Sequence, residues 1–156
     1  NALAKARHAS RKARRPALAD DSGICIAALG GEPGVHSARF ADESMDSDVG
    51  RQEQDKRNNQ KLVALLKDQE DRRAHYACVM VLVRHAEDPE PVIAEGRWLG
   101  EVIDTPRGTN GFGYDPYFYL PELGKTAAEL VAEHKNAISH RGKVLRGLIT
   151  KLRERD

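Results

Sequence analysis

The sequence predicts an α/β domain with a largely antiparallel or mixed central β-sheet and flanking helices. Three observations predict it. Residues 74–85 carry apolar side chains on both faces of an extended run, as a strand inside a sheet does. Leu62, Leu65 and Leu66 form one helical stripe. Toward the end, Thr126 with Glu129 matches a capping box, and Ser139 precedes a stripe of Leu145, Leu148 and Leu152, flanked by Val144 and Ile149.

In order, residues 2–14 read as a basic helix bearing Lys5, Arg7, Arg11, Lys12 and Arg14, ended by Pro16. Ala17 to Ala19 reads as a short strand end delivering Asp20 and Asp21 to a strand-to-turn junction. Residues 24–29 are apolar and fit either strand or helix. Gly30-Gly-Glu-Pro-Gly34 is a turn. Residues 42–54 are polar and acidic and read as a loop, followed by a helix over 55–67. Glu87 to Pro91 links the 74–85 strand to a second one at 92–98, which Gly100 separates from a third at 101–103. A Gly-rich loop spans 105–115, a short strand follows at 117–120, and helices are expected at 126–137 and from Ser139 onward.

At 156 residues the chain is long enough for one domain with a sizeable core. It is 40% hydrophobic and 31% charged, with a net charge of +1, so no broad attraction to nucleic acid or membrane is implied. No apolar run has bilayer-spanning length, and no secretory signal pattern is present. Cys25 and Cys78 lie in apolar runs; two free thiols in a reducing cytoplasm is the expected state, with one disulfide as the alternative. The chain opens on Asn1 inside a helical pattern, which predicts a native segment ahead of it.

Four clusters carry chemistry. Asp20, Asp21 and Ser22 offer hard oxygen ligands suited to a divalent cation, or form an ordinary turn. Gly111-Phe-Gly-Tyr-Asp-Pro116 combines glycines that permit close backbone approach with aromatic faces on which a base can stack. Gly124-Lys-Thr126 resembles the end of a P-loop, but Tyr119 stands where the first glycine is required, and Thr126 is better explained as a cap. Lys135 and Ser139-His-Arg141 gather donors at a helix N-terminus, suited to a carbonyl oxygen or a phosphate.

Together with Leu29-Gly-Gly-Glu-Pro-Gly34, Ser37-Ala-Arg39, Gly124-Lys-Thr-Ala-Ala-Glu-Leu130 and Ile138-Ser-His-Arg141, in this order, these clusters resemble the inosine/xanthosine triphosphate pyrophosphatase family, also called the Ham1 family, and its bacterial members above all. The resemblance implies a two-lobed architecture and hydrolysis of non-canonical purine nucleoside triphosphates to the monophosphate and pyrophosphate. It also implies Mg2+ as cofactor and a cytoplasmic homodimer. It makes Asp21 the general base and a metal ligand. It places Ser22, Phe112, Gly113, Tyr114, Asp115, Lys135, His140 and Arg141 in the substrate site. Phe112 is expected to stack on the purine, and His140 with Arg141 to read its 6-oxo group. Lys5 is expected to approach the phosphates. Family members begin with a strand and a Thr/Ser-Asn-Lys loop that holds the triphosphate, and this sequence starts after them. The competing readings are a non-catalytic nucleotide-binding or structural piece of such an enzyme, and a phosphatase using Asp20 as nucleophile. The latter class wants two acids separated by one residue, whereas these are adjacent.

Overall fold

The computed structural model describes residues 1–41 and 49–155. Its elements are α1 (Ala2–Ala13), β1 (Ala17–Ile26), α2 (Arg51–Leu66), β2 (Arg73–Val83), β3 (Val92–Val102), β4 (Phe118–Leu120), β5 (Lys125–Thr126), α3 (Ala132–Ile138) and α4 (His140–Glu154). The five strands form one sheet in sequence order, and every described pairing is antiparallel. The expected α/β class holds, and the choice between a mixed and an antiparallel sheet resolves to antiparallel among the described residues. No described helix is long and apolar enough to cross a membrane.

Alternation along β1 fixes which helix each face receives. Ala17 and Ala19 face α1, which buries Ala2 and Ala6 against Val81 and Val83, with Ser10 buried one turn further on. These small residues let the helix lie close to the sheet. The helix stops where Arg14 turns left-handed (φ 52°) and Pro16 follows; the Ser10 hydroxyl donates to the Arg15 carbonyl at 2.7 Å across that stop. On the other face, Ile24, Ile26, Tyr76, Trp98 and Phe118 build the main core with Leu62 and Leu66 of α2. Each such side chain, fully buried, contributes roughly 1.5–3 kcal/mol. The start of α4 is capped by Ser139 Oγ, which accepts the Gly142 N–H at 3.1 Å, and its Val144 and Leu148 pack on Cys78, Val92 and Ala94. Both cysteines are free, and burial pushes both thiols up.

Several expectations need correction. Asp20 and Asp21 lie within a ten-residue strand, not at its end: β1 runs on to Ile26, because Ser22 to Ile26 continue the ladder against Ala74 to Cys78. The apolar stretch after it divides, with strand to Ile26 and a single 3-10 turn over Ala27–Leu29. Gly100 does not break β3, which is continuous from Val92 to Val102. A side chain at position 100 would meet the Phe118 ring at 2.6 Å, so glycine is required for packing. The capping box at Thr126 and Glu129 is present, but it opens only a 3-10 turn; Leu130 and Val131 are extended, and α3 begins at Ala132. Leu65, Leu145 and Ile149 are solvent-exposed, and the buried stripe of α4 is His140, Val144 and Leu148. Residues 42–48 of the expected polar loop lie outside the described residues, and 51–54 belong to α2.

Candidate active site

A cavity of about 600 Å³ opens between β1, α2, the 111–115 loop and the start of α4. Ser22, Phe112, Gly113, Tyr114, Asp115, Lys135, His140 and Arg141 all line it, although they come from four separate stretches of sequence. Asp21 and Lys5 are not part of this lining. They sit on the opposite face of β1, where Lys5 Nζ is 3.2 Å from Asp21 Oδ1 and 3.3 Å from the Asp20 carbonyl oxygen. Ser22 lines the cavity and is adjacent in sequence to Asp21, so β1 links the two groups.

Asp115 organises the aromatic loop. It is buried, and its Oδ1 accepts the Tyr76 hydroxyl at 3.0 Å. Its Oδ2 accepts the Phe112 N–H at 3.1 Å and pairs with Lys135 Nζ. Burial, reinforced by the Asp115 charge, pushes the Tyr76 phenol well up, so it serves as a donor. Gly111 (φ 72°) is required here, since a Cβ would lie 2.2 Å from Asp115 Oδ2.

α2 holds the same loop from the other side. Asp55 Oδ2 accepts the Gly113 N–H at 2.9 Å, and Asn59 Nδ2 donates to the Gly113 carbonyl at 3.0 Å. Asn58 accepts the Ala41 N–H at 2.9 Å and donates to the Ala38 carbonyl at 3.1 Å. The Tyr114 ring is buried, and its hydroxyl donates to the Ser37 carbonyl at 2.6 Å, so it packs the cavity wall. Phe112 alone of the loop aromatics keeps an exposed face, 47% accessible. Three cations surround that ring: Arg51 and Lys135 at 5.0 Å and Arg141 at 5.3 Å from its centroid.

His140 is buried against Tyr76, and burial, with help from Arg141 and Lys135, lowers its pKa to about 3. It is a neutral imidazole at physiological pH, able to donate from one nitrogen and accept at the other. Its Nδ1 is buried without a hydrogen-bond partner among the described residues. Arg141 Nε lies 3.2 Å from Asp20 Oδ2 and 3.3 Å from Ser22 Oγ.

No described group of three or more carboxylate, imidazole or thiol side chains is placed to hold a metal. The Asp21 carboxylate and Asp20 carbonyl do converge on one cation, the Lys5 ammonium. A cation that retains waters and phosphate oxygens needs only one or two protein carboxylates, so this oxygen set fits such an ion.

The sequence did not single out Tyr76, Arg51, Asp55, Asn58 or Asn59. Adjacent asparagines inside a helix were a usable signal, because Asn is unfavourable there unless its side chain has work to do. Tyr76 carried none, since it reads as one more apolar residue of a central strand.

The sequence pattern of the Ham1 family matches residues 1–151. The chain is 62% identical over 153 residues to a dITP/XTP pyrophosphatase of Ralstonia nicotianae, covering 98% of this chain and 74% of that protein. It is 60% identical to one of Nitrosomonas europaea, covering 100% and 73%. Among solved structures, a HAM1 protein from Coxiella burnetii superposes with a TM-score of 0.87 at 48% identity, covering 98% of this chain and 75% of that one.

Proposed function

The chain belongs to the Ham1 family, and from that premise we propose that it hydrolyses non-canonical purine nucleoside triphosphates (ITP, dITP and XTP) to the monophosphate and pyrophosphate. The observation that carries this reading is the convergence of Phe112, Lys135, His140 and Arg141 on one cavity that also takes in Ser22, the β1 neighbour of Asp21.

The purine stacks on the exposed face of Phe112, beside the Arg141 guanidinium. Arg141 donates to the 6-oxo group, and neutral His140 supplies a second donor. An adenine amino group there would face the Arg141 cation, which can only donate, so adenine nucleotides bind worse. Lys5 and Lys135 offset phosphate charge. Asp21 orients a water for attack on the α-phosphorus and accepts its proton, while the bond from that phosphorus to the bridging oxygen breaks and pyrophosphate leaves. Asp21 would hold a Mg2+ ion, which when bound would supply charge neutralisation and a lowered pKa for the attacking water.

Phosphorus NMR of the products from ITP with Mg2+ tests the reaction type. Inosine monophosphate and pyrophosphate are expected. Inosine diphosphate with orthophosphate would contradict the assignment, and binding without products would favour a non-catalytic nucleotide-binding role.

A further inference from the structure

We propose that Asp20 is a positioning residue that orients Arg141 for reading the purine 6-position. This deepens, and rests on, the reading of Arg141 given above. Residues 20 and 21 are neighbours in sequence but point to opposite faces of β1. Asp21 faces α1 and meets Lys5, whereas Asp20 faces the start of α4 and meets Arg141. The adjacent carboxylates therefore divide between two tasks.

The geometry supports orientation more than stability. Both side chains of the Asp20–Arg141 pair are partly exposed (41% and 43%), and such pairs add little to folding. Arg141 sits in the first turn of α4, where a cation opposes the helix dipole, and the Asp20 carboxylate offsets that conflict. The anchor is Nε: its N–H donates to Ser22 Oγ, and the Asp20 Oδ2 charge pairs with it at 3.2 Å. The Ser22 hydroxyl in turn donates to Asp20 Oδ2 at 3.5 Å, so Asp20 holds both the charge and the hydroxyl that Nε meets. Because the guanidinium is planar, the Nε contacts together with the Phe112 ring restrict its plane, and among the described residues neither terminal nitrogen has a hydrogen-bond partner. The same guanidinium lies over Phe112, so the ring that takes the base and the fork that reads it are held in one register. An Arg141 released from Asp20 keeps its charge but loses that orientation, which weakens discrimination before it weakens general nucleotide binding.

The test is a double-mutant cycle read by equilibrium binding without divalent metal, using inosine triphosphate and adenosine triphosphate as probes. Asp20→Ala is expected to lower the inosine-to-adenosine affinity ratio about fivefold. Asp20→Asn, which keeps an oxygen near Nε without the charge, should lower it less. In an Arg141→Ala background, Asp20→Ala should leave the ratio unchanged, and thermal unfolding of Asp20→Ala should stay close to wild type. A wild-type preference for inosine that survives Asp20→Ala and Asp20→Asn overturns this proposal alone. So does a drop of equal size with and without Arg141. A wild-type protein with no preference between the two nucleotides overturns the functional reading, and this proposal with it.

Discussion

His140 lies flat against Tyr76, with ring centroids 4.7 Å apart and planes 11° from parallel. The same tyrosine donates to Asp115, so a residue at the start of α4 and the carboxylate behind the aromatic loop share one support on β2. The stack explains why His140 stays neutral: burial disfavours its charged form, and Arg141 and Lys135 add repulsion.

The first prediction concerns pH. The folded pKa of His140 is lowered from 6.5 to about 3, so the unfolded chain binds more protons between these values. The associated stability is fully present above about 6.5 and is lost as pH falls toward about 3, by at most a few kcal/mol. Chemical denaturation between pH 7 and pH 4 should therefore show a steeper loss for wild type than for His140→Phe, which keeps an aromatic stack and cannot titrate. Parallel curves would contradict the assignment.

Asp115→Asn should be strongly disruptive. It leaves Lys135 without its buried counter-charge and weakens the acceptor shared by Tyr76 and the Phe112 N–H. A destabilisation of about 2–4 kcal/mol is expected in urea unfolding, together with a raised KM for inosine triphosphate.

Phe112→Ala should behave in the opposite way. Its ring is half exposed, so folding should change little. Loss of a stacking face worth roughly 1–3 kcal/mol should weaken nucleotide binding about fivefold or more. Titration calorimetry alongside a melting curve separates the two effects.

Gly111→Ala tests the loop backbone. Residue 111 has φ 72°, and the added methyl would lie 2.2 Å from Asp115 Oδ2. The loop must shift, so the expected outcome is a loss of nucleotide affinity comparable to Phe112→Ala with a lower melting temperature as well.

Much of this architecture was legible in the sequence because local rules and global packing agree. The buried run of β2, the Ser139 cap and the Gly30–Gly34 turn each follow from short-range chemistry. The errors arose where a partner distant in sequence decides. Gly100 resembles a strand break until Phe118 is packed against it. A capping box promises a helix at Thr126, yet extended residues at Leu130 and Val131 cut it to one turn. In the candidate site, the sequence named side chains that line the cavity, but not the network behind them. The Tyr76–Asp115 and Asn59–Gly113 contacts join residues 39 and 54 positions apart. The resemblance already separates Asp21, as the catalytic candidate, from Asp20 as a supporting acceptor; the structural reason, that both lie within a strand where neighbours face opposite ways, depends on the ladder with β2.

The most direct test of the central claim is kcat/KM for inosine, deoxyinosine, xanthosine and adenosine triphosphates, measured by pyrophosphate release with Mg2+ for wild type and Asp21→Asn. Wild type is expected to favour the first three strongly over adenosine triphosphate. Asp21→Asn is expected to lose at least about a hundredfold in kcat, the scale of general base catalysis, while KM and that preference are retained. Equal turnover of adenosine triphosphate by wild type, or near-normal kcat in Asp21→Asn, would contradict the claim.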